Sequence, residues 1–462
     1  MNILIFSALL IGSCRVDDPM ATPVANTDYS IIDGDTVKTV VFKDHKKLKD
    51  KDPRSGGLAI VNDTIITYQE PKLHIPPAKD PDISKLKNND DPDLKGKPIR
   101  YVAIGSDLTA GVRDGGYFNE GILTSYPNLI ARQMKLKKFE QPLFDNDSYN
   151  GFGRKVRTGF NPTGGPVPKF SVVKNNSGIE SLDEKIVKLK KVNKSIDNWA
   201  FPNLAMLPLD NPSYANSSSY LLRIDKADRK ERYFIYSEQL AKEKYDFFSI
   251  EFDISRGSGK LDYDYPYYPI PIEEIIKRHK KLNLEGVLLN LPDIVDFPDF
   301  RIVNSEKYKK IIKDNKIGLP FTGDFELFPT SKVDSALSPK VHISLKPQGL
   351  LGSDVIASEN IPIGKQNIIY NNDLIKKWGE KYGYPVVDLY SIYKKIIAGN
   401  YITDDGVRVN PNYPEGNFFS TDMRNPTAFG QAIIANEVIK TINAYYKLAI
   451  PLISTKDYLS IK

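Results

Sequence analysis

Three short stretches carry side chains of the kind that do covalent chemistry. The first is Gly105-Ser106-Asp107-Leu108, which follows the apolar run Tyr101-Val102-Ala103-Ile104. An apolar strand ending in a glycine-bearing turn is where a serine hydroxyl or an aspartate carboxylate could be offered to a substrate. The second is Glu251-Phe252-Asp253, at the end of Phe247-Phe248-Ser249-Ile250, and the third is Asp422-Met423-Arg424-Asn425-Pro426. A serine attacks an ester only when a positioned base takes its proton, and histidine serves because its pKa lies near neutrality. The four histidines, His45, His74, His279 and His342, all stand outside these stretches, and the amide of Asn425 has no useful basicity.

The turn at 105–108 is a permutation of Gly-Asp-Ser-Leu. Together with Ser125-Tyr126-Pro127-Asn128-Leu129-Ile130-Ala131, Gly286-Val287-Leu288-Leu289-Asn290-Leu291-Pro292-Asp293 and Phe418-Phe419-Ser420-Thr421-Asp422, it resembles the SGNH, or GDSL, hydrolases in the lipoprotein form common among Bacteroidota. The resemblance spans residues 98–455 and implies a three-layer α/β/α domain with a parallel central sheet. It also implies four catalytic blocks, each of them altered here. Register puts Asp107 where the family has its serine nucleophile. The oxyanion-hole glycine is missing from Asn203-Leu204-Ala205-Met206-Leu207-Pro208. Glu251 or Asp253 brings negative charge to the place of an asparagine donor, and Asp422 keeps its aspartate while Asn425 replaces the histidine. Losing a single oxyanion donor typically costs about 100- to 1000-fold in rate.

Two arrangements would restore chemistry. In one, Ser106 is the nucleophile, but a shift of one residue turns its side chain to the flank of the sheet, away from Asp422; His342, before a loop that could fold over the site, is the substitute base. In the other, Asp107, Asp253 and Asp422 converge and hold Ca²⁺ or Mg²⁺, or act as an acid/base pair on a glycoside. The plainer reading is that former catalytic positions have become polar residues reached by water. It requires no metal and no cofactor.

These stretches must be positioned by alternating strands and helices, as in a parallel sheet covered on both faces. Strands are expected at Ile99–Ile104, Phe247–Ile250, Gly286–Leu291 and Pro385–Leu389. Helices are expected at Tyr126–Met134, capped by Ser125 with Pro127 in the first turn, at Asp373–Tyr382 and at Ala428–Tyr446. In the last of these, Ile434, Val438, Ile439 and Ile442 recur at helical spacing. Insertions are expected at 149–200, rich in glycine and proline, and at 255–271. The second contains Leu-Asp-Tyr-Asp-Tyr-Pro-Tyr-Tyr-Pro-Ile, in which Tyr265, Tyr267 and Tyr268 form an aromatic loop suited to an interface or a sugar, or else a lid on the domain's own rim.

The N-terminus indicates an address. Residues 1–13 are a short apolar run, and Leu10-Ile11-Gly12-Ser13-Cys14 resembles a bacterial lipoprotein signal in which Cys14 is lipidated. The run is too short to span a bilayer, which takes about 20 apolar residues, and reads as a signal peptide, although it has no Lys or Arg. Asp17 and Asp18 resemble a surface-export signal. Asp35-Thr36-Val37, Asp63-Thr64-Ile65 and Asp334-Ser335-Ala336 resemble O-glycosylation sites of the same phylum. Cys14 is the only cysteine, so no disulfide can form and packing alone must hold the domain.

Residues 14–97 read as an extension and linker: strand-like patches near 36–42 and 58–68, then a proline- and aspartate-rich tract from 71 to 98 unlikely to build a core and expected to act as a spacer. The net charge of +6, from 64 basic and 58 acidic residues, forms no basic stripe, which excludes a nucleic-acid partner on the usual grounds. The expected protein is an outer-membrane, surface-exposed lipoprotein whose degenerate hydrolase domain serves binding, or is an accessory subunit of an outer-membrane β-barrel complex. The alternative is an active esterase, acylhydrolase or carbohydrate deacetylase on cell-surface glycans or lipids.

Overall fold

The computed structural model describes residues 27–32, 35–40, 68–69, 75–88, 90–160, 168–173, 176–182, 187–204, 218–224, 235–252, 270–327, 333, 337, 349–351 and 354–461. Its centre is a sheet of five parallel strands: β1 (Tyr101–Gly105), β2 (Asn198–Ala200), β3 (Phe247–Glu251), β4 (Glu285–Leu289) and β5 (Val386–Val387). Their spatial order is β5-β4-β3-β1-β2, every neighbouring pair parallel. The chain therefore builds outward from β1 in one direction, then returns and builds in the other, as in doubly wound α/β folds.

Strands buried on both faces read as continuous apolar runs, and their alternation sorts the side chains into two cores. Tyr101, Ala103, Phe247, Val287, Leu289 and Val387 face one layer. That layer is formed by helices α2 (Tyr126–Gln133), α5 (Leu389–Ile397) and α6 (Ala428–Tyr446). Val102, Ile104, Phe248, Ile250 and Leu288 face the opposite layer, which includes α3 (Ile270–Lys281) and α4 (Ile361–Tyr382). The domain is thus the three-layer α/β/α sandwich expected. Ser125 stands at the start of α2, but its hydroxyl donates back to Ile122 O at 2.8 Å instead of capping. Thr427 does cap α6, accepting from Gly430 N at 3.1 Å.

Three features differ from expectation. The stretch expected as an insertion at 149–200 ends in β2, a three-residue strand that pairs with β1 through Ala103–Asn198 and Gly105–Ala200. Ahead of it stand two hairpins, Arg154–Phe160 with Pro168–Val173 and Ile179–Leu182 with Val187–Leu189. Between β4 and β5 lies an unforeseen excursion. Val303, Ile312, Ile317, Phe325, Leu327, Val333, Leu337, Leu350 and Val355 form a separate small core, and Phe325–Leu327 pairs antiparallel with Val355–Ala357.

The third difference is the spacer. Residues 75–88 and 90–98 are docked on the domain: Leu86 is in the main core, Ile75 and Ile83 pack against it, and Leu94 is buried. Asp82 and Ala449 exchange backbone hydrogen bonds of 3.1 and 2.9 Å. The strap crosses the amino ends of the strands, where Lys87 N donates to Glu285 at 3.1 Å and Lys244 pairs with Asp91 and Asp93. Widely spaced apolar residues that could not build a core of their own are sufficient to dock on one already formed. Among the described residues no helix is long and apolar enough to cross a membrane.

Candidate functional site

In open parallel sheets, ligands bind in the crevice outside the carboxyl ends of the strands where the strand order reverses. Here that point lies between β1 and β3, and the first two chemical stretches meet there. The four-residue helix α1 (Asp107–Ala110) leaves β1 at Ser106, and Glu251 closes β3 beside it.

Glu251 is fully buried, and its Oε2 accepts hydrogen bonds from Ser106 N at 2.8 Å, Thr109 N at 3.3 Å and Thr109 Oγ1 at 2.9 Å. These are amides that the first turn of a helix leaves unsatisfied, and a carboxylate also suits the positive end of the peptide dipoles. Only glycine fits at 105, because a Cβ there would lie 2.4 Å from Thr109 Oγ1 and 2.6 Å from Glu251 Oε2. The charge expected to disturb an oxyanion site is instead engaged in holding the turn.

This clamp separates the two side chains that follow. Ser106 has no exposure, and its Oγ has no hydrogen-bond partner among the described residues. A substrate cannot reach it. Asp107 is half-buried and reaches the rim, where its Oδ1 accepts the backbone N–H of Asn203 at 2.6 Å. Asn203 follows β2 with φ of 55°, a left-handed conformation that asparagine tolerates better than most residues. An amide turned toward the tip of β1 could serve as an oxyanion donor. Here a carboxylate already occupies it.

The third stretch closes over the same rim. The loop before α6 interlocks with the loop after α1: Asp114 N donates to Ser420 Oγ at 3.0 Å, Thr421 N to Asp114 Oδ1 at 3.0 Å and Gly115 N to Asp422 Oδ2 at 2.8 Å. Asp422 also accepts from Arg424 N at 2.9 Å and Asn425 N at 2.7 Å, and the Asn425 side-chain amide donates to it at 3.0 Å. Asn425 therefore makes the hydrogen bond to Asp422 that an imidazole N–H would make in an acid–base pair. It brings nothing that can take up a proton near neutral pH.

Arg424 is the hub that the spacing of acids did not reveal. Burial works against its charge, and Asp299, Asp422 and Asp107 together more than offset that and hold its pKa above the usual guanidinium range. Its Nε donates to the Asp299 carboxylate, which comes from the excursion between β4 and β5. Burial raises the pKa of Asp299, with Arg424 opposing the rise. Lys155, from the first hairpin, lies near Asp422 and Arg424; burial lowers its pKa against the pull of Asp422. The cluster thus mixes both signs. Among the described residues no group of three His, Cys, Asp or Glu side chains could hold a metal ion.

The structure therefore brings Asp107, Asp422 and Asn425 together around Arg424, and leaves Ser106 adjacent but sealed. His279, the histidine among the described residues, is buried on α3 in the layer opposite α6, where Tyr245 OH lies 2.6 Å from its Nε2. Burial, aided by Arg278, lowers its pKa to about 3. It is a neutral core residue. Cys14, His45, His74, Asp253, Tyr265, Tyr267, Tyr268 and His342 lie outside the described residues. Sequence reasoning missed Arg424, Asn203 and Lys155. The only available signal was an arginine between Asp422 and Asn425.

No known protein family matches the chain, and no curated protein is similar to it. Among solved structures, a "putative SGNH hydrolase" from Slackia heliotrinireducens aligns over 75% of this chain and 100% of that chain, with 9% identity and a TM-score of 0.30. A likeness so slight adds nothing to what the strand order and the side chains themselves say.

Proposed function

We propose that this chain is a surface-exposed lipoprotein of an outer membrane, whose SGNH-like domain no longer hydrolyses esters and acts in binding or as an accessory subunit of a β-barrel complex. The observation that carries the loss of hydrolysis is the pairing of Asn425 with Asp422, with Asp107 at the tip of β1. This arrangement provides a carboxylate where a hydroxyl would attack and an amide where a base would stand. Hydrolysis at neutral pH needs a group that accepts a proton in the transition state, and neither residue supplies one alongside a nucleophilic hydroxyl.

The expected result is that the full chain does not turn over p-nitrophenyl acetate or butyrate above a heat-denatured control. Turnover abolished by Ser106→Ala would overturn this reading. So would turnover lost in Asp107→Asn and retained in Ser106→Ala, which would make the domain an enzyme with a carboxylate mechanism.

The address rests on Leu10 to Cys14. Lipid chains contribute about 0.8 kcal/mol per buried CH₂, so Cys14→Ala is expected to move the protein from the membrane pellet to the soluble fraction. Unchanged partition, with an unmodified N-terminus by mass spectrometry, would remove the anchor from the proposal. The barrel partner is the class with which such anchored subunits assemble, and Tyr265, Tyr267 and Tyr268 are the side chains proposed to meet it. Co-purification after gentle detergent extraction tests this, and a protein that runs alone and crosslinks to nothing in the membrane refutes it.

A further inference from the structure

The same edge of the sheet carries a recess two to three strands from Asp107. It has a volume of about 450 Å³ and is lined by Asn290, Ile369, Asn372, Asp373, Lys376, Val386, Asp388 and Tyr390. It lies at the carboxyl ends of β4 and β5, against the outward side of α4 and the start of α5. Neighbouring strands run about 4.8 Å apart, so its centre stands roughly 12 Å from the tip of β1.

The floor of this recess is fixed in advance. Asn372 donates to Leu291 O at 2.9 Å and accepts from Leu291 N at 2.8 Å, which ties α4 to the chain leaving β4. Asn290 donates to Asp388 Oδ1 at 2.9 Å and accepts from Tyr390 N at 3.0 Å, which ties that same chain to α5. Asp388 in turn accepts from Ser391 N at 3.1 Å and Ser391 Oγ at 2.6 Å. Asparagines bonded on both sides cannot rotate away, so the floor needs no ordering when a ligand arrives.

The groups left over are of a particular kind. Asp373 and Lys376 stand one turn apart on α4, a spacing at which opposite charges commonly pair, yet neither has an ion pair among the described residues, and both border the recess. Tyr390 contributes a half-exposed ring, with the Lys394 ammonium 5.2 Å from its centroid. Ile369, at 47% exposure, extends the apolar edge. The two carboxylates disfavour an anion, and the lysine disfavours a cation. The polar share of the lining disfavours a purely apolar molecule. A neutral ligand dense in hydroxyls, with one face of C–H groups, satisfies all three: carboxylates accept from its hydroxyls, the ammonium donates to them, and the tyrosine ring packs on the C–H face.

We propose that this recess binds a saccharide. The size suits the pocket range of small ligands, about 300–1,000 Å³, and the site owes nothing to the chemistry at Asp107. It goes beyond the function proposed above and stands or falls separately, since ester turnover by the chain would leave it untouched.

The test is titration calorimetry of the full chain, with ligand-observed NMR, using chitotriose, maltotriose and mannotriose as probes. At least one is expected to bind with Kd between tens of micromolar and a few millimolar, the range for a shallow site with few contacts. Asp373→Ala and Tyr390→Ala are each expected to weaken it about tenfold or more. Asp373 is exposed, so its variant tests the site even if Tyr390→Ala fails to fold, which circular dichroism reports. Lack of binding by all three probes at about 10 mM overturns the proposal, as does binding that both variants leave unchanged. Loss of binding in Asp107→Asn alone would place the saccharide beside Asp107 and overturn it equally.

Discussion

Replacing Glu251 with leucine is expected to lower the stability of the domain by about 3–5 kcal/mol, a large part of the 5–15 kcal/mol that a typical domain has. The leucine is close in size, so the loss comes from polarity. Ser106 N and Thr109 N would remain buried next to a hydrocarbon with no acceptor, each at about 1–3 kcal/mol, and the hydroxyl of Thr109 would lose a charge-assisted partner. Glu251→Gln keeps an oxygen in place and should cost only about 1–2 kcal/mol. Urea unfolding followed by circular dichroism measures both. If leucine and glutamine cost the same, the carboxylate is not the clamp described, and the turn at Gly105 is held by packing.

A comparable loss, about 2–4 kcal/mol at pH 7.5, is expected when Arg424 becomes methionine, and it should carry a pH signature. Removing one partner of a buried pair leaves the other charged and dry, which is costlier than never having had the pair; Arg424 is a third exposed, which places the figure at the lower end. Asp299 remains. Burial already holds its native pKa above the unfolded value, and without Arg424 the native value rises further. The native state then keeps a proton over a range in which the unfolded chain has released it. Stability therefore falls as pH rises through that range. The deficit of Arg424→Met should shrink as the pH is lowered from 7.5 toward 4.5. A deficit of equal size at both ends would mean that Arg424 contributes packing rather than charge.

What the sequence discloses follows from how local each feature is. β1, β3 and β4 are legible because a strand buried on both faces is apolar over most of its length, and a short run such as Tyr101-Val102-Ala103-Ile104 ending at a glycine favours a strand. β2 is not, since three residues beginning with Asn198 carry no pattern and owe their place to β1. The strap is misread for the complementary reason: its composition is polar over any window, and the few apolar residues that matter find their partners on a surface made elsewhere. Within the site, Asp422 and Asn425 can be seen because they are three apart and close on each other. The partnership of Arg424 with Asp299 spans 125 positions, and the turn of the Asn203 amide toward Asp107 depends on a backbone angle. No spacing rule reports either one.

The placement of the strap also fixes the side of the sheet from which the chain enters. The strap crosses the sheet at the amino ends of the strands, while Asp107, Arg424 and the recess sit at the carboxyl ends. Five residues of strand at about 3.3 Å each separate these two sides by roughly 17 Å of rigid protein. The chain therefore enters the domain from the side opposite the site. The site around Asp107 and the recess lie on the side of the sheet away from the strap. A long polymer or a second protein lying across the rim would therefore meet the loops at the carboxyl ends of the strands and not the docked strap.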